Sequence, residues 1–209
     1  MSSQGAPSAP MLVFDTTVLN HFALADRLDV LANMVIGRRC ATTPVVLDEL
    51  RSGTERHPTL NSALELDWMQ VIALDQPAEI RCFADWVRRI GAGARDMGEA
   101  SVFAAADIHS GVAITDDRDA TRVGRAHGLT VHGTIWLLAG GCVTGKLTEI
   151  GAGAIIDALR QTGHRLPCTG TEFPAFARRH GLLKVVPPRQ PAAPEGFTPG
   201  DVAPDPALG

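Results

Sequence analysis

Short apolar runs alternate along the chain with longer segments in which apolar residues recur at helical spacing. Five of these runs predict strands, at 11–14, 39–42, 68–74, 112–115 and 130–132. The segments between the runs are long enough to form helices that cross over from one strand to the next. This alternation is typical of an α/β fold. It predicts a mostly parallel five-stranded sheet within a three-layer α/β/α sandwich.

Capping residues indicate where several of the predicted helices begin. Asp26 can cap one helix, Thr43 with Pro44 after it can start a second, and Thr148 can cap a third. The second helix is expected to end at Gly53, because glycine favours the conformations that follow a helix. A further helix begins at Pro77 and shows the clearest amphipathic pattern in the chain.

The spacing of apolar residues predicts which faces of these helices are buried. In the helix that begins at Pro77, the predicted buried face comprises Ile80, Phe83, Ala84, Val87 and Ile90. The opposite face carries Arg81, Asp85, Arg88 and Arg89. In the helix capped by Thr148, we expect Ile150, Ile155 and Leu159 to point inward.

The chain divides into four predicted segments. Residues 1–10 are expected to be a flexible N-terminus. They carry neither the positive run nor the apolar stretch of a signal peptide, so we do not expect one there. Residues 11–165 contain all the predicted strands and form the folded domain, and 166–186 form a helical extension. Half of the 14 prolines lie in 187–209, which is typical of a disordered tail.

Composition restricts the function classes that the chain can belong to. The net charge of −4 gives no overall positive field, so any nucleic-acid-binding face must be local. The four cysteines contain no CxxC pair, which argues against a structural zinc site or a disulfide framework. A reduced, cytoplasmic protein is the simplest interpretation. No segment has the apolar length that is needed to span a membrane, so no membrane association is expected.

Acidic residues recur where predicted strands end or helices begin. Asp15 follows the first strand directly, and Asp116 and Asp117 follow the fourth. Glu49 lies within the helix after Thr43, and Glu99 lies in the first turn of a later helix. Each has an ordinary alternative explanation, because Asp often caps helices and Glu is favoured in a first helical turn. Taken together, they predict an acidic cluster at the carboxyl edge of the sheet.

An acidic cluster without histidine or cysteine at ligand spacing favours hard, oxygen-binding metal ions. Mg²⁺ or Mn²⁺ suits such ligands, and an ion of this kind can activate water and stabilise phosphodiester oxygens. The expected reaction is therefore metal-assisted hydrolysis of a phosphate ester. Weaker candidates for contact with a nucleic-acid backbone are Arg38, Arg39, Arg118 and Arg122, although solvated arginine is the ordinary alternative.

Several stretches in the same order resemble PIN domains, the metal-dependent nuclease fold, and in particular the branch named DUF3368. They are FDTTVLNHFALADRLDVL, ATTPVVLDELRSG, DMGEASVFAAA, AITDDRDATRVGRAHGLTVHGT and IWLLAGGCVTG, within residues 11–165. The resemblance implies metal-site acids at Asp15, Glu49, Glu99 and Asp117, with Asp116 as an alternative fourth acid. It also implies that Thr17 helps to orient Asp15 or a water. The chain departs from the commonest pattern in having Glu at the third acidic position.

The resemblance implies an endoribonuclease that uses Mg²⁺ or Mn²⁺ and hydrolyses RNA by means of an activated water. It also raises the hypothesis of a toxin paired with a small antitoxin protein, and of a homodimer. Two alternatives remain open: a PIN-like module that binds nucleic acid or protein without catalysis, and an aspartate-dependent phosphohydrolase. The second usually needs a lysine near its aspartate, and neither Lys146 nor Lys184 suitably follows a predicted strand.

Overall fold

The computed structural model describes residues 9–91 and 96–184. Most of the predicted N-terminal segment, 1–10, and the whole predicted tail, 187–209, therefore lie outside the described residues. In the described part, no helix is both long and apolar enough to cross a membrane.

The sheet has five strands in the order β3-β2-β1-β4-β5, and every neighbouring pair is parallel. Its strands are β1 (Leu12–Phe14), β2 (Cys40–Thr42), β3 (Gln70–Val71), β4 (Val112–Ile114) and β5 (Val131–His132). The predicted parallel five-stranded sheet is therefore confirmed. The third strand is much shorter than the predicted 68–74, because β3 is an edge strand that pairs only with β2 and both its residues are exposed.

Ten α-helices lie in the described ranges, together with a 3₁₀ helix at Pro58–Leu60. They are α1 (Thr16–Leu24), α2 (Leu28–Val35), α3 (Pro44–Gly53), α4 (Asn61–Leu64), α5 (Pro77–Ile90), α6 (Met97–Ile108), α7 (Arg118–Ala126), α8 (Thr134–Val143), α9 (Glu149–Gln161) and α10 (Phe173–Arg179). The last of these lies in the predicted helical extension and packs against α9.

The helices form two groups around the sheet. In one group, α6 packs on β1 and β4, and α5 packs on both α6 and α7. In the other, α1 contacts α2 and α9, and α8 contacts α2 and α9. Since right-handed crossovers in opposite directions place helices on opposite faces, these groups form the outer layers of the predicted sandwich. Helix α3 contacts both α1 and α6, at the carboxyl edge where the two groups meet.

Helix α1 ends in a Schellman motif, and this corrects the predicted role of Asp26. The Asp26 backbone has φ of 54°, in the left-handed region. Its N–H donates to the Ala23 carbonyl at 3.0 Å, and the Arg27 N–H donates to the Phe22 carbonyl at 2.9 Å. Asp26 therefore completes the end of α1, and the N-cap of α2 is Arg27.

The buried face of α5 differs from the predicted one. Ile80 is 51% exposed and Ala84 is also exposed, whereas Trp86 is buried. The Trp86 ring meets Phe103 of α6 edge to face at a centroid distance of 5.3 Å, and its Nε1 donates to Asp107 Oδ2 at 3.1 Å. The indole therefore sets the orientation of α5, since it is both the larger apolar group and the one with a polar partner on α6.

The inward face of α9 also differs from the prediction at one position. Ile150 is 87% exposed, whereas Ile155, Ile156 and Leu159 are buried. Ile150 lies in the first turn of α9, away from the stripe that packs on α8 and α1. The prediction was therefore right for Ile155 and Leu159 and wrong for Ile150.

Candidate active site

The four acids that the resemblance implies come from four elements at the carboxyl edge of the sheet. Asp15 follows β1 and caps α1, and Asp117 lies beyond β4 and caps α7. Glu49 lies in α3, and Glu99 lies in the first turn of α6. The charges of the other three acids all raise the pKa of Glu99, which indicates that these side chains share one region.

Asp15 is the most deeply buried of these acids, with 1% of its surface exposed. Its Oδ2 accepts hydrogen bonds from the Thr17 backbone N–H at 3.2 Å and from the Thr115 hydroxyl at 3.1 Å. Its Oδ1 is buried without a hydrogen-bond partner in the described residues. Burial raises the pKa of Asp15 to about 6, although the hydrogen bonds from Thr17 and Thr115 oppose this effect.

The carboxylate of Glu49 packs directly against the backbone of Gly98 and is held by a threonine. Thr16 Oγ1 donates a hydrogen bond to Glu49 Oε2. A Cβ atom built on Gly98 would lie 2.6 Å from Oε2 and 2.8 Å from Oε1 of Glu49. Gly98 therefore leaves the space that the Glu49 carboxylate occupies at the start of α6.

Glu99 shows the largest effect of its surroundings on a pKa in the cluster. Burial is the main cause, and the negative charges of Asp15, Glu49 and Asp117 add to it, so that the pKa of Glu99 is raised to about 8. Glu99 therefore holds a proton more readily than an ordinary glutamate. A cation placed among these carboxylates would reverse the repulsion that causes part of this rise.

Asp116 and Asp117 have different surroundings. Asp116 Oδ1 accepts from the Thr134 N–H at 2.9 Å, and its Oδ2 lies 2.6 Å from the Thr134 hydroxyl and 2.9 Å from His164 Nε2. Asp117 Oδ1 accepts from the Ala120 N–H at 2.7 Å, while the residue as a whole is exposed. Both oxygens of Asp116 are thus occupied by protein donors, whereas Asp117 keeps an oxygen free of them.

Hydroxyl groups that the sequence reasoning did not single out support the acids. Thr115 donates to Asp15 and accepts from the Asp117 N–H at 3.2 Å, so it links the first and fourth acids. Thr43 Oγ1 lies 2.6 Å from Ser101 Oγ, which in turn donates to the Gly98 carbonyl at 2.8 Å. The position of Thr115 directly before two aspartates at a strand end was the signal that could have identified it.

The described arginines lie in different parts of the fold. Arg38 and Arg39 precede β2, at the amino edge of the sheet and away from the acids. Arg118 directly follows Asp117, beside the acids. Arg122 Nη2 lies 3.3 Å from Asp119 Oδ1 on the exposed face of α7. Only Arg118, of the four candidates for backbone contact, therefore lies beside the acidic cluster with an unpaired charge.

The residue types of the acidic cluster suit a divalent cation, but their side chains are not yet placed to hold one. An unpartnered carboxylate oxygen on Asp15 and mutual repulsion around Glu99 are features that a cation would compensate. All the ligands would be oxygens, which suits Mg²⁺ or Mn²⁺. Yet within residues 9–91 and 96–184 no three His, Cys, Asp or Glu side chains are already arranged to hold one ion. Metal binding would therefore need side-chain adjustment.

Comparisons with known proteins give matches to solved structures and to a protein family. No curated protein matches the chain. The structure is similar to that of the VapBC2 complex from Rickettsia felis bound to a DNA fragment from its promoter. That match has 12% sequence identity and a TM-score of 0.46, and it covers 59% of this chain and 98% of the other. The family model described as DUF3368, PIN domain, matches residues 11–171. The chain therefore belongs to the DUF3368 family of PIN domains.

Proposed function

We propose that this protein is an endoribonuclease that uses Mg²⁺ or Mn²⁺ to hydrolyse RNA phosphodiesters. PIN domains are generally nucleases, and the chain has an acid at each position that the family resemblance implies. The observation that carries the proposal is the buried Asp15 Oδ1, which lacks a partner beside three further carboxylates. A buried anionic oxygen without a donor is costly unless a cation compensates it.

Asp15, Glu49 and Asp117 are the proposed metal ligands, with Glu99 as a further ligand or as the group that accepts a proton. A divalent ion bound there would supply an acidified water and neutralise charge on the phosphodiester oxygens. Asp117 is preferred to Asp116, because the Thr134 and His164 donors already occupy both Asp116 oxygens.

The chain's own groups would orient the reactants and move the proton. Thr115 donates a hydrogen bond to Asp15 Oδ2, which leaves Oδ1 available to a cation. Thr16 and Gly98 fix the place of the Glu49 carboxylate. Glu99 would take a proton from the attacking water once a bound cation offsets the repulsion that raises its pKa in the metal-free site.

A non-catalytic binding module is the second candidate. The absence of three preplaced ligands in the described parts of the chain favours it, because a module that had lost metal binding would show the same geometry. The aspartate-dependent phosphohydrolase is less well supported. Lys146 Nζ donates to the Met34 and Ile36 carbonyls at 3.1 and 3.0 Å, at the end of α2 and the amino edge of the sheet. It is therefore held away from Asp15.

Partners belong to the same proposal. We propose RNA as the substrate and, if the protein is a toxin, a small antitoxin that covers the acidic edge. Homodimer formation and a cytoplasmic location stay predictions.

The test is cleavage of a mixed pool of single-stranded and structured RNAs by the full-length protein with Mn²⁺ or Mg²⁺. We expect metal-dependent cutting that EDTA and Asp15→Asn both abolish, while Asp67→Asn, exposed before β3 at the amino edge of the sheet, leaves it intact. An unchanged RNA pool together with no calorimetric Mn²⁺ binding would overturn the nuclease proposal and favour the binding module.

A further inference from the structure

A cleft of about 450 Å³ opens beside the acidic cluster, between the start of α7 and the loop that follows α9. It shares Thr17, Asp116 and Asp117 with the acidic cluster and its supports, and adds other residues that the proposed chemistry does not use. Its lining includes Thr17, His21, Asp117, Arg118, His164 and Arg165.

The far wall of this cleft is fixed by buried polar contacts. His164 has 4% of its side chain exposed, and its Nε2 lies 2.9 Å from Asp116 Oδ2. The His164 ring stacks on that of His21 at a centroid distance of 4.1 Å and an interplanar angle of 20°. His21 Nδ1 in turn lies 2.7 Å from Thr162 Oγ1. The loop that carries Arg165 is therefore attached to both α1 and the end of β4.

Two positive charges on the cleft are unpaired. Arg118 and Arg165 are both exposed, and neither makes an ion pair or hydrogen bond with any residue in 9–91 or 96–184. The nearby Asp119 is paired with Arg122 on α7. Two guanidinium groups on the rim of a cleft next to the reacting edge match the geometry and charge of phosphate oxygens.

His21 adds a neutral polar group to the floor of the cleft. Burial lowers the pKa of His21 to about 4, so the ring is uncharged near neutral pH. Its Nδ1 is occupied by Thr162, whereas its Nε2 has no hydrogen-bond partner among the described residues. A neutral imidazole nitrogen in this position can bond a ribose hydroxyl or a base edge.

We propose that this cleft binds the nucleotide next to the cleaved phosphodiester of a single-stranded RNA, with Arg118 and Arg165 on its phosphate and His21 Nε2 on its ribose or base. The inference rests on the proposed nuclease function, because it takes the acidic cluster as the place of cleavage. It assigns the direction in which the strand leaves that cluster, towards the loop after α9.

The test measures binding of a fluorescent single-stranded RNA octamer of mixed sequence by anisotropy at several salt concentrations. The full-length Asp15→Asn variant with Mg²⁺ serves as the background, so that cleavage does not interfere. We expect Arg118→Ala and Arg165→Ala each to weaken binding about fivefold and to lower the salt slope by about one. Arg56→Ala removes one exposed charge beyond the end of α3, outside the cleft, and should leave both quantities unchanged.

The outcomes separate this inference from the nuclease proposal. If wild type cuts RNA but Arg118→Ala and Arg165→Ala bind and cut as Arg56→Ala does, the cleft assignment is overturned while the nuclease stands. If wild type cuts nothing but the two variants still lose RNA affinity, the cleft binds nucleotides and the nuclease proposal fails. Unchanged melting temperatures of the variants would establish that a loss of binding is local.

Discussion

Replacing Asp15 with Asn should reveal the cost of the buried carboxylate in the metal-free protein. The pKa of Asp15 is raised to about 6 in the fold from an ordinary value of 3.8. The folded state therefore binds more protons than the unfolded state between these values, so the contribution of Asp15 to stability is full below pH 3.8 and is lost as the pH rises through 6. Asn at this position carries no charge and removes this contribution. It also removes one cause of the raised pKa of Glu99, and this second effect on the pH dependence has the same sign.

The magnitude follows from the size of the pKa change. A rise of about two pKa units corresponds to about 3 kcal/mol of stability lost in full above pH 6, of which about 1.5 kcal/mol is lost between pH 5 and pH 8. The Asn side chain can still accept from Thr17 and Thr115 with one oxygen. The amide nitrogen would take the position of Oδ1, which has no hydrogen-bond partner. Burying this unpaired group costs roughly 1–2 kcal/mol at every pH.

Urea unfolding in EDTA at pH 5 and pH 8 tests this reasoning. From pH 5 to pH 8, the free energy of unfolding of Asp15→Asn should rise by about 1.5 kcal/mol relative to that of wild type. The variant should be the more stable protein at pH 8. Asp67→Asn is the matched control, because Asp67 is exposed and lies before β3, at the amino edge of the sheet and away from the acidic cluster. A constant difference between Asp15→Asn and wild type across this pH range would refute a raised pKa at Asp15.

Two glycine substitutions test close packing at different places. In Gly98→Ala the new methyl would occupy the space of the Glu49 carboxylate, so we expect the fold to persist while RNA cleavage falls at least about tenfold. In Gly153→Ala the Cβ would lie 2.7 Å from the Gly170 carbonyl, where only backbone can yield. We expect urea unfolding to show about 2 kcal/mol of destabilisation. Gly140→Ala meets nothing within 4 Å and should alter neither property adversely.

A different result would contradict each of these two glycine predictions. Full cleavage by Gly98→Ala would show that the position of the Glu49 carboxylate does not matter for the reaction. Unfolding of Gly153→Ala at the same urea concentration as Gly140→Ala would show that the loop after α9 moves freely against that helix.

The strand and cap pattern of the sequence was sufficient to predict the sheet and the places of the acids along it. Asp15 directly follows β1, Asp116 and Asp117 come shortly after β4, and parallel strands bring such ends to one edge. Thr43 with Pro44 predicted the start of α3 correctly, because a cap depends on neighbouring residues alone. These are features that local chemistry determines.

Features that depend on distant residues could not be predicted in this way. Asp26 looks like a cap for α2, yet its left-handed backbone forms the C-terminal end of α1. Trp86 lies off the most regular apolar stripe of α5, and its partner Asp107 on α6 decides its burial. The contact between Asp116 and His164 joins residues 48 positions apart, so no local pattern distinguishes Asp116 from Asp117. Each of these outcomes was set by tertiary packing.

The most direct test of the account is anomalous diffraction from crystals of the full-length protein soaked in Mn²⁺. We expect an anomalous peak beside Asp15 Oδ1, with carboxylate oxygens of Glu49 and Asp117 moved to within about 2–2.3 Å of it. Asp116 should keep its contacts with Thr134 and His164. A fully occupied peak elsewhere, or no peak at this edge at saturating Mn²⁺, would contradict the claim that these acids form a metal site.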